Sequence, residues 1–235
     1  MGIDDRTGAA RPALDWTERG VPVSRRFGDP YYSLQDGLSE STHVFVEGNA
    51  LRDRFTDGFA IAETGFGTGL NLCAALLAWE MAGTAGRFAF TSFEAYPLSA
   101  EEIAIALGPW SAIARWRAIL AETYRADGAA FAVGPADVRI IPGDARETIP
   151  AWEGRADAWF LDGFAPARNP EMWEPALLAA VAAHTRPRGS FATFTAAGAV
   201  RRSLAEAGFT VERISGYGRK RHMCRGVLDA PVTGN

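Results

Sequence analysis

Three glycines at alternate positions, Gly65, Gly67 and Gly69, follow an apolar run that ends in Glu63, and Asn71 stands just beyond them. An apolar run, a tight glycine turn and a helix start allow a nucleotide-like ligand to touch bare backbone, with its anionic part on the helix N-terminus. The spacing discriminates among ligands. A dinucleotide turn needs G-x-G-x-x-G, and Leu70 stands where its third glycine belongs. A phosphate-binding P-loop is excluded because no Lys-Ser or Lys-Thr pair follows. An ordinary strand–turn–helix junction would use such glycines too. Three further carboxylates end apolar runs: Glu94 after Phe88–Phe93, Asp144 after 138–143, and Asp162 after Ala158–Leu161. Glu94 in that position can accept from two neighbouring hydroxyls, or be a surface residue at a strand end. Asp144 can accept from an exocyclic amine, cap the next helix, or do both. Asp162 should sit on the floor of a pocket facing the reacting group, the alternative being a turn cap before Gly163.

These side chains must be positioned by elements, and the chain supplies them in alternation. Strands are predicted at 59–63, 88–94, 138–142, 157–161, 190–195, 209–214 and about 221–228. Helices are predicted at 69–82, in pieces across 99–125, and at 145–152, 170–184 and 197–207. Asn169 can cap a helix opened by Pro170 and Glu171, which Pro187 and Gly189 would end. Alternating strands and helices imply a doubly wound, mostly parallel α/β sheet. The short link through Gly216 and Gly218 permits only an antiparallel final pair. A seven-stranded, mostly parallel sheet with one antiparallel strand, and an acid leading into G-x-G-x-G, is the Rossmann-like pattern of class I S-adenosylmethionine (SAM) methyltransferases. In such sheets ligands lie at the carboxyl ends of the strands. Residues 1–57 read as a β-rich extension, with extended pieces at 21–24, 28–33 and 42–46. Residues 58–229 read as the main domain and 230–235 as a tail. The first ten or so residues and the tail are expected to be disordered.

Composition removes other classes. The 235 residues are 48% hydrophobic, ample for one core. No apolar run reaches the roughly 20 residues of a membrane span, and the first residues lack a signal-peptide core. Two cysteines and three histidines without ligand spacing speak against disulfides and a metal site. A cytoplasmic protein is expected. The net charge of −4 does not favour bulk nucleic-acid binding, yet arginines cluster at Arg201-Arg202 and Arg219-Lys220-Arg221, where Lys220 is the only lysine. A basic rim and a solvated charged loop both fit that run.

The stretch from Trp159 to Trp173, Trp-Phe-Leu-Asp-Gly-Phe-Ala-Pro-Ala-Arg-Asn-Pro-Glu-Met-Trp, closely resembles the methyltransferase half of the bifunctional tRNA 5-methylaminomethyl-2-thiouridine biosynthesis protein family. Ala62–Asn71, Ser92–Glu94, Ala192–Thr195, Val200–Arg202, Ala207–Thr210 and Gly216–Arg221 fit the same family, as do Pro22–Ser24, Tyr31, Ser33, Gly37-Leu38 and Val44-Phe45. The resemblance spans roughly residues 14 to 228. The bifunctional relatives continue into an FAD-dependent oxidase domain that has no counterpart here, so a stand-alone form without FAD is expected.

The resemblance implies methyl transfer from SAM to the amine of 5-aminomethyl(-2-thio)uridine at the wobble position of the tRNA anticodon stem-loop. It implies Asp162 as the catalytic group, orienting the amine. Tyr31, Glu63, Gly65, Gly67, Gly69, Asn71, Glu94, Asp144 and Asp162 would surround the cofactor, although Tyr31 could equally be a core aromatic. Phe164, Trp173 and Tyr217 are candidates to stack on the base, each with a core role as the alternative. Arg201, Arg202, Arg219, Lys220 and Arg221 would hold phosphates. The competing functions are a SAM-dependent N-methyltransferase for a protein or small-molecule amine, and a noncatalytic SAM- or RNA-binding module. The helical stretch between Glu94 and Val138 receives no function from its sequence.

Overall fold

The structure, a computed structural model, describes residues 13–33, 36–218 and 220–229. The disorder expected at both termini falls outside these residues.

The chain opens with three short strands, β1 (Leu14–Trp16), β2 (Pro22–Ser24) and β3 (Asp29–Pro30), paired antiparallel in that order. Helix α1 (Gly37–Ser41) follows, capped by the Asp36 carboxylate, which accepts from the Ser39 N–H. The extended piece expected at 42–46 is instead a π-helix, Thr42–Glu47, leading to α2 (Leu51–Arg54). Thr, Val and Phe favour strands, but Val44, Phe45 and Val46 are all buried in succession. A half-buried strand would expose every second side chain, so burial on all sides overrides local propensity here. The segment is fixed by Asn49, whose amide N–H groups donate to the carbonyls of Phe45 at 3.0 Å and Trp159 at 3.3 Å, while its Oδ1 accepts from Ser190 at 2.6 Å.

The main body contains β4 (Phe59–Thr64), α3 (Leu70–Ala82), β5 (Phe88–Glu94), α4 (Ala100–Ala106), α5 (Ala114–Thr123), β6 (Ala130–Val133), β7 (Ala136–Pro142), α6 (Ala145–Thr148), β8 (Ala156–Phe160), α7 (Pro175–Ala183), β9 (Thr185–Thr193), α8 (Gly198–Glu206), β10 (Phe209–Ser215) and β11 (His222–Leu228). The sheet has eight strands rather than seven, in the order β10-β11-β9-β8-β4-β5-β7-β6. β9, β8, β4, β5 and β7 run parallel, and β11 lies between β9 and β10, antiparallel to both. The additional strand, β6, pairs antiparallel with β7 across a turn at Gly134 and forms one edge. It is short and lies in a segment whose pattern reads as helix.

Other boundaries also differ. Asn169 precedes a 3₁₀ turn, Pro170–Trp173, without a side-chain capping bond. α7 already ends at Ala183, and Pro187, Arg188 and Gly189 lie within β9. There they form a register shift opposite Ala156 and Ala158, with Arg188 at φ 62°.

Side-chain alternation divides the core. Ile61, Phe90, Ala158 and Phe160 face a core shared with α3, the π-helix and residues 103–124. Ala62, Phe93, Trp159 and Phe191 face a second core with α7 and α8. The stretch that carried no sequence-based role backs the glycine turn: Phe66 stacks on Tyr124 at 5.7 Å, and Trp116 and Leu120 are buried in the first core. Successive strands run outward from β4 through β5 to β7, and then the chain returns to β8 on the other side of β4. The strand order thus reverses beside β4, and the crevice at the carboxyl ends of β4, β5 and β8 is the ligand position of an open α/β sheet. Among the described residues, no helix is long and apolar enough to cross a membrane.

Candidate active site

A cavity of about 360 Å³ opens at that crevice. Its size falls in the range of ligand pockets. The glycine turn, Glu94, Asp144, Asp162 and Phe164 line it, together with Tyr31 from the extension.

The turn is held open by backbone conformation. Gly67 has φ 51° and Gly69 φ 75°, both in the left-handed region. A Cβ on Gly67 would come within 3.1 Å of the Tyr31 ring, so Tyr31 lies directly over the loop. Gly69 caps α3 without a side chain, so no side chain satisfies the first-turn N–H groups. A Cβ on Gly65 would meet nothing within 4 Å, which places that face of the loop against open space.

The carboxylates are tied together more closely than their separation in sequence suggests. Glu63, two residues after Ile61, points to the α3 side of the sheet and is fully buried. Its Oε1 accepts from the Asn71 amide at 2.9 Å and its Oε2 from the Ser92 hydroxyl at 2.7 Å. Burial pushes its carboxyl well above the usual range, against the lowering effect of Asn71. The Asn71 amide also donates to Asp162 Oδ2 at 2.7 Å, and Asn71 Oδ1 accepts from the Ser41 hydroxyl at 2.6 Å. Asn71 therefore joins two carboxylates and α1, and its polar atoms are engaged within the protein. Asp162 Oδ1 accepts from its neighbour's Gly163 N–H at 2.7 Å. Burial raises the Asp162 carboxyl to about 6, opposed by the Gly163 and Asn71 hydrogen bonds. Asp162 is nonetheless partly exposed, toward the cavity it lines.

Glu94 secures the loop: its Oε2 accepts from the Gly67 N–H at 2.9 Å and its Oε1 from Tyr96 N–H at 2.7 Å. Burial raises this carboxyl too. Asp144 caps α6 through the Arg146 N–H at 2.9 Å and forms a two-point ion pair with the Arg146 guanidinium, which lowers its carboxyl. It also lines the cavity, so its capping role leaves a ligand role open.

The aromatic candidates separate. Phe164 lines the cavity, stacked on Phe27 at 4.6 Å and edge-on to Tyr31 at 5.3 Å. Trp173 is not part of the cavity wall. It is 7% exposed, its indole N–H donates to the Phe164 carbonyl at 3.1 Å, and its ring meets Phe194 edge-on, so it supports Phe164 from the second core. Tyr217 leans on His43 at 5.9 Å and is not part of the cavity wall. Among the basic candidates, Arg202 and Arg221 are exposed, and Arg201 is half-buried with its Nε unpaired. Arg219 lies outside the described residues. Lys220 lines the cavity, with its Nζ 2.8 Å from Glu40 Oε1 and 4.5 Å from the centre of the Phe194 ring.

Several participants carried no usable sequence signal. Ser41 and Glu40 sit in a segment that reads as an ordinary polar stretch, and only the fold brings Ser41 to Asn71, 30 positions away. Asp29 accepts from the Ala165 N–H at 3.1 Å and so ties the extension to the loop after Asp162. Arg26 covers the Tyr96 ring at 4.8 Å on the cavity rim.

Comparison with known proteins agrees with this fold. A model of an S-adenosyl-L-methionine-dependent methyltransferase family matches residues 111–229, about half of the chain. The tRNA 5-methylaminomethyl-2-thiouridine biosynthesis bifunctional protein MnmC of Pseudomonas aeruginosa (strain UCBPP-PA14) is 47% identical over 229 residues, covering 93% of this chain and 35% of that protein. The protein of the same name from Chromobacterium violaceum is 44% identical, covering 93% and 34%. The chain thus spans about a third of the length of these relatives. A crystal structure of MNMC2 from Aquifex aeolicus superposes with a TM-score of 0.70 at 27% identity, covering 99% of this chain and 74% of that one. By the family match and by its fold, the chain belongs to the S-adenosyl-L-methionine-dependent methyltransferases.

Proposed function

We propose that the protein methylates the primary amine of 5-aminomethyl(-2-thio)uridine at the wobble position of a tRNA anticodon, giving 5-methylaminomethyl(-2-thio)uridine. The observation that carries this reading is the Asp162 carboxylate. It faces the cavity, hydrogen-bonded on one oxygen by Asn71 and on the other by Gly163, in a chain similar over 93% of its length to proteins named for that nucleoside.

The residues present fit SAM. Open space lies over Gly65, the first turn of α3 has no side-chain cap to compete with a ligand carboxylate, and acidic groups line the cavity that would receive a sulfonium. Glu94 would take the ribose hydroxyls through the second lone pair of each oxygen, and Asp144 an adenine amine in the same way. Tyr31 would cover the cofactor from the side of Gly67. Bound there, SAM supplies an electrophilic methyl group on a positively charged sulfur. Methyl transfer itself requires no flavin.

The chain's own residues would act by alignment. With its carboxyl near 6, Asp162 is mainly ionised at neutral pH and accepts a hydrogen bond from the amine. An alkyl ammonium has a pKa of about 10, so the amine must lose a proton before it attacks. Desolvation in the cavity and the positive sulfonium beside it favour that loss, against the pull of the carboxylates. Asp162 is too weak a base to drive it alone; it fixes the nitrogen's direction and passes the released proton on to solvent at the mouth of the cavity. Phe164 would stack on the splayed-out base. Arg201, Arg202, Arg219 and Arg221 would meet phosphates of the anticodon stem-loop.

A small-molecule or protein amine is the second reading. It is favoured by the pairing of Lys220 with Glu40, which removes one cation from the proposed phosphate-binding rim. The test is incubation with radiolabelled SAM and tRNA bearing 5-aminomethyluridine, followed by nucleoside analysis. Labelled 5-methylaminomethyluridine is expected. Binding of SAM without that product would refute the tRNA reading, and label recovered in an amine-bearing peptide instead would support the second.

A further inference from the structure

The cavity wall already binds an alkylammonium group, one belonging to the chain itself. Lys220 Nζ lies 2.8 Å from Glu40 Oε1 and 4.5 Å from the centre of the Phe194 ring. Asp162 lines the same cavity and feels both partners: the Lys220 charge lowers its carboxyl and the Glu40 charge raises it. Carboxylate, aromatic face and second carboxylate are the elements that recognise a primary ammonium, which has three donors and one positive charge. We propose that Glu40 and Asp162 together receive the substrate's aminomethyl group, and that Lys220 holds Glu40 in place until that group displaces it. This deepens the proposed function and rests on its amine substrate.

The two partners of the ion pair differ in how freely they move. The Glu40 side chain is 12% exposed and that of Lys220 is 49% exposed. Glu40 is carried on α1, whose next residue, Ser41, is anchored to Asn71 at 2.6 Å. Lys220 sits on a flexible four-carbon stem in the link between β10 and β11. Exchanging one ammonium for another leaves the largely buried Glu40 carboxylate paired before and after, avoiding the penalty of an isolated charge. A uridine without the aminomethyl group offers no replacement cation and leaves Lys220 where it is. The pair therefore selects for the amine by its charge, and Lys220 serves as an internal competitor rather than as a phosphate contact.

Because Lys220 is the only lysine in the sequence, lysine-selective ¹⁵N labelling yields one side-chain ammonium resonance. An anticodon stem-loop carrying 5-aminomethyluridine should shift it, and the same RNA with uridine should not. In kinetics with the amine RNA, Glu40→Gln should raise KM about tenfold or more, the loss expected for a hydrogen bond to a charged group, with SAM affinity unchanged. Lys220→Met should lower KM, and that effect should vanish in the Glu40→Gln background. An unchanged KM in Glu40→Gln, a raised KM in Lys220→Met, or an equal shift of the resonance by both RNAs would overturn the proposal. Absence of methylation by the unaltered protein would instead defeat the tRNA reading itself.

Discussion

Asp162 differs from a surface aspartate in two respects: both of its oxygens accept hydrogen bonds from the protein, and burial raises its carboxyl to about 6. The ionised form is the one that accepts from an amine, so kcat/KM should fall as pH drops through about 6. Asp162→Asn should remove that acid limb and lower kcat by roughly a hundredfold or more. Asn71 donates to the charged form and so holds the carboxyl down. Asn71→Ala should therefore move the limb to higher pH, and a limb left in place would show that Asn71 has no influence on the carboxylate. The same shift bears on stability. The folded state keeps the Asp162 proton up to about pH 6, whereas an unfolded aspartate loses it near the ordinary value of 3.8. Between those values the folded state binds more protons, so this group's contribution to stability rises as pH falls. Asp162→Asn should raise Tm at pH 8, with the gain shrinking toward pH 4; a pH-independent change in Tm would contradict the buried, proton-binding carboxyl.

At the scale of elements, the helical segment 37–54 positions two of the side chains that complete the site. α1 brings Ser41 to Asn71 and Glu40 to Lys220, and the π-helix after it is locked to the sheet by Asn49. Arg54 adds to that lock, donating to the carbonyls of Asn49 at 2.9 Å and Asp157 at 2.8 Å. Asn49 is 2% exposed, so Asn49→Ala would strand a buried carbonyl and a hydroxyl. It should cost about 1–3 kcal/mol in denaturant unfolding, and a loss indistinguishable from zero would show that the network is dispensable. This segment also marks where sequence stops being informative. The strand ends were readable because an apolar run, an acid and a glycine are close together in sequence, as at Glu63–Gly65 and Asp162-Gly163. Thr42–Val46 was not, because its β-branched and aromatic residues suit a strand equally well, and only packing against Phe160 and the sheet decides for a helix. Nor could Trp173 be separated from Phe164 in advance, since both are aromatic residues within one loop. One lines the cavity while the other supports it from the core, a difference set by contacts with Phe27 and Phe194.

For the whole molecule, the cavity carries the same sign as the net charge. The chain carries −4 overall, and Glu40, Glu94, Asp144 and Asp162 concentrate negative charge in the cavity. That suits a sulfonium and an ammonium but repels an RNA backbone. Any polyanionic substrate must then be held from outside the cavity, by cations whose partners are not already within the protein. Arg25 is paired to Asp15 and Arg146 to Asp144, so neither is fully available. Arg202 and Arg221 are exposed, and among the described residues neither forms an ion pair. If they meet phosphates, binding of an anticodon stem-loop should weaken steeply with salt, and replacing either one by Ala should reduce the log–log salt slope by about 0.7 to 1. The loss should be the same for RNA with and without the aminomethyl group, because phosphate contacts do not read the base. Fluorescence titration of both RNAs at several salt concentrations measures this directly. An unchanged slope in Arg202→Ala and Arg221→Ala would place the RNA on another face, whereas a loss confined to the amine RNA would assign these arginines to the cavity instead of the backbone.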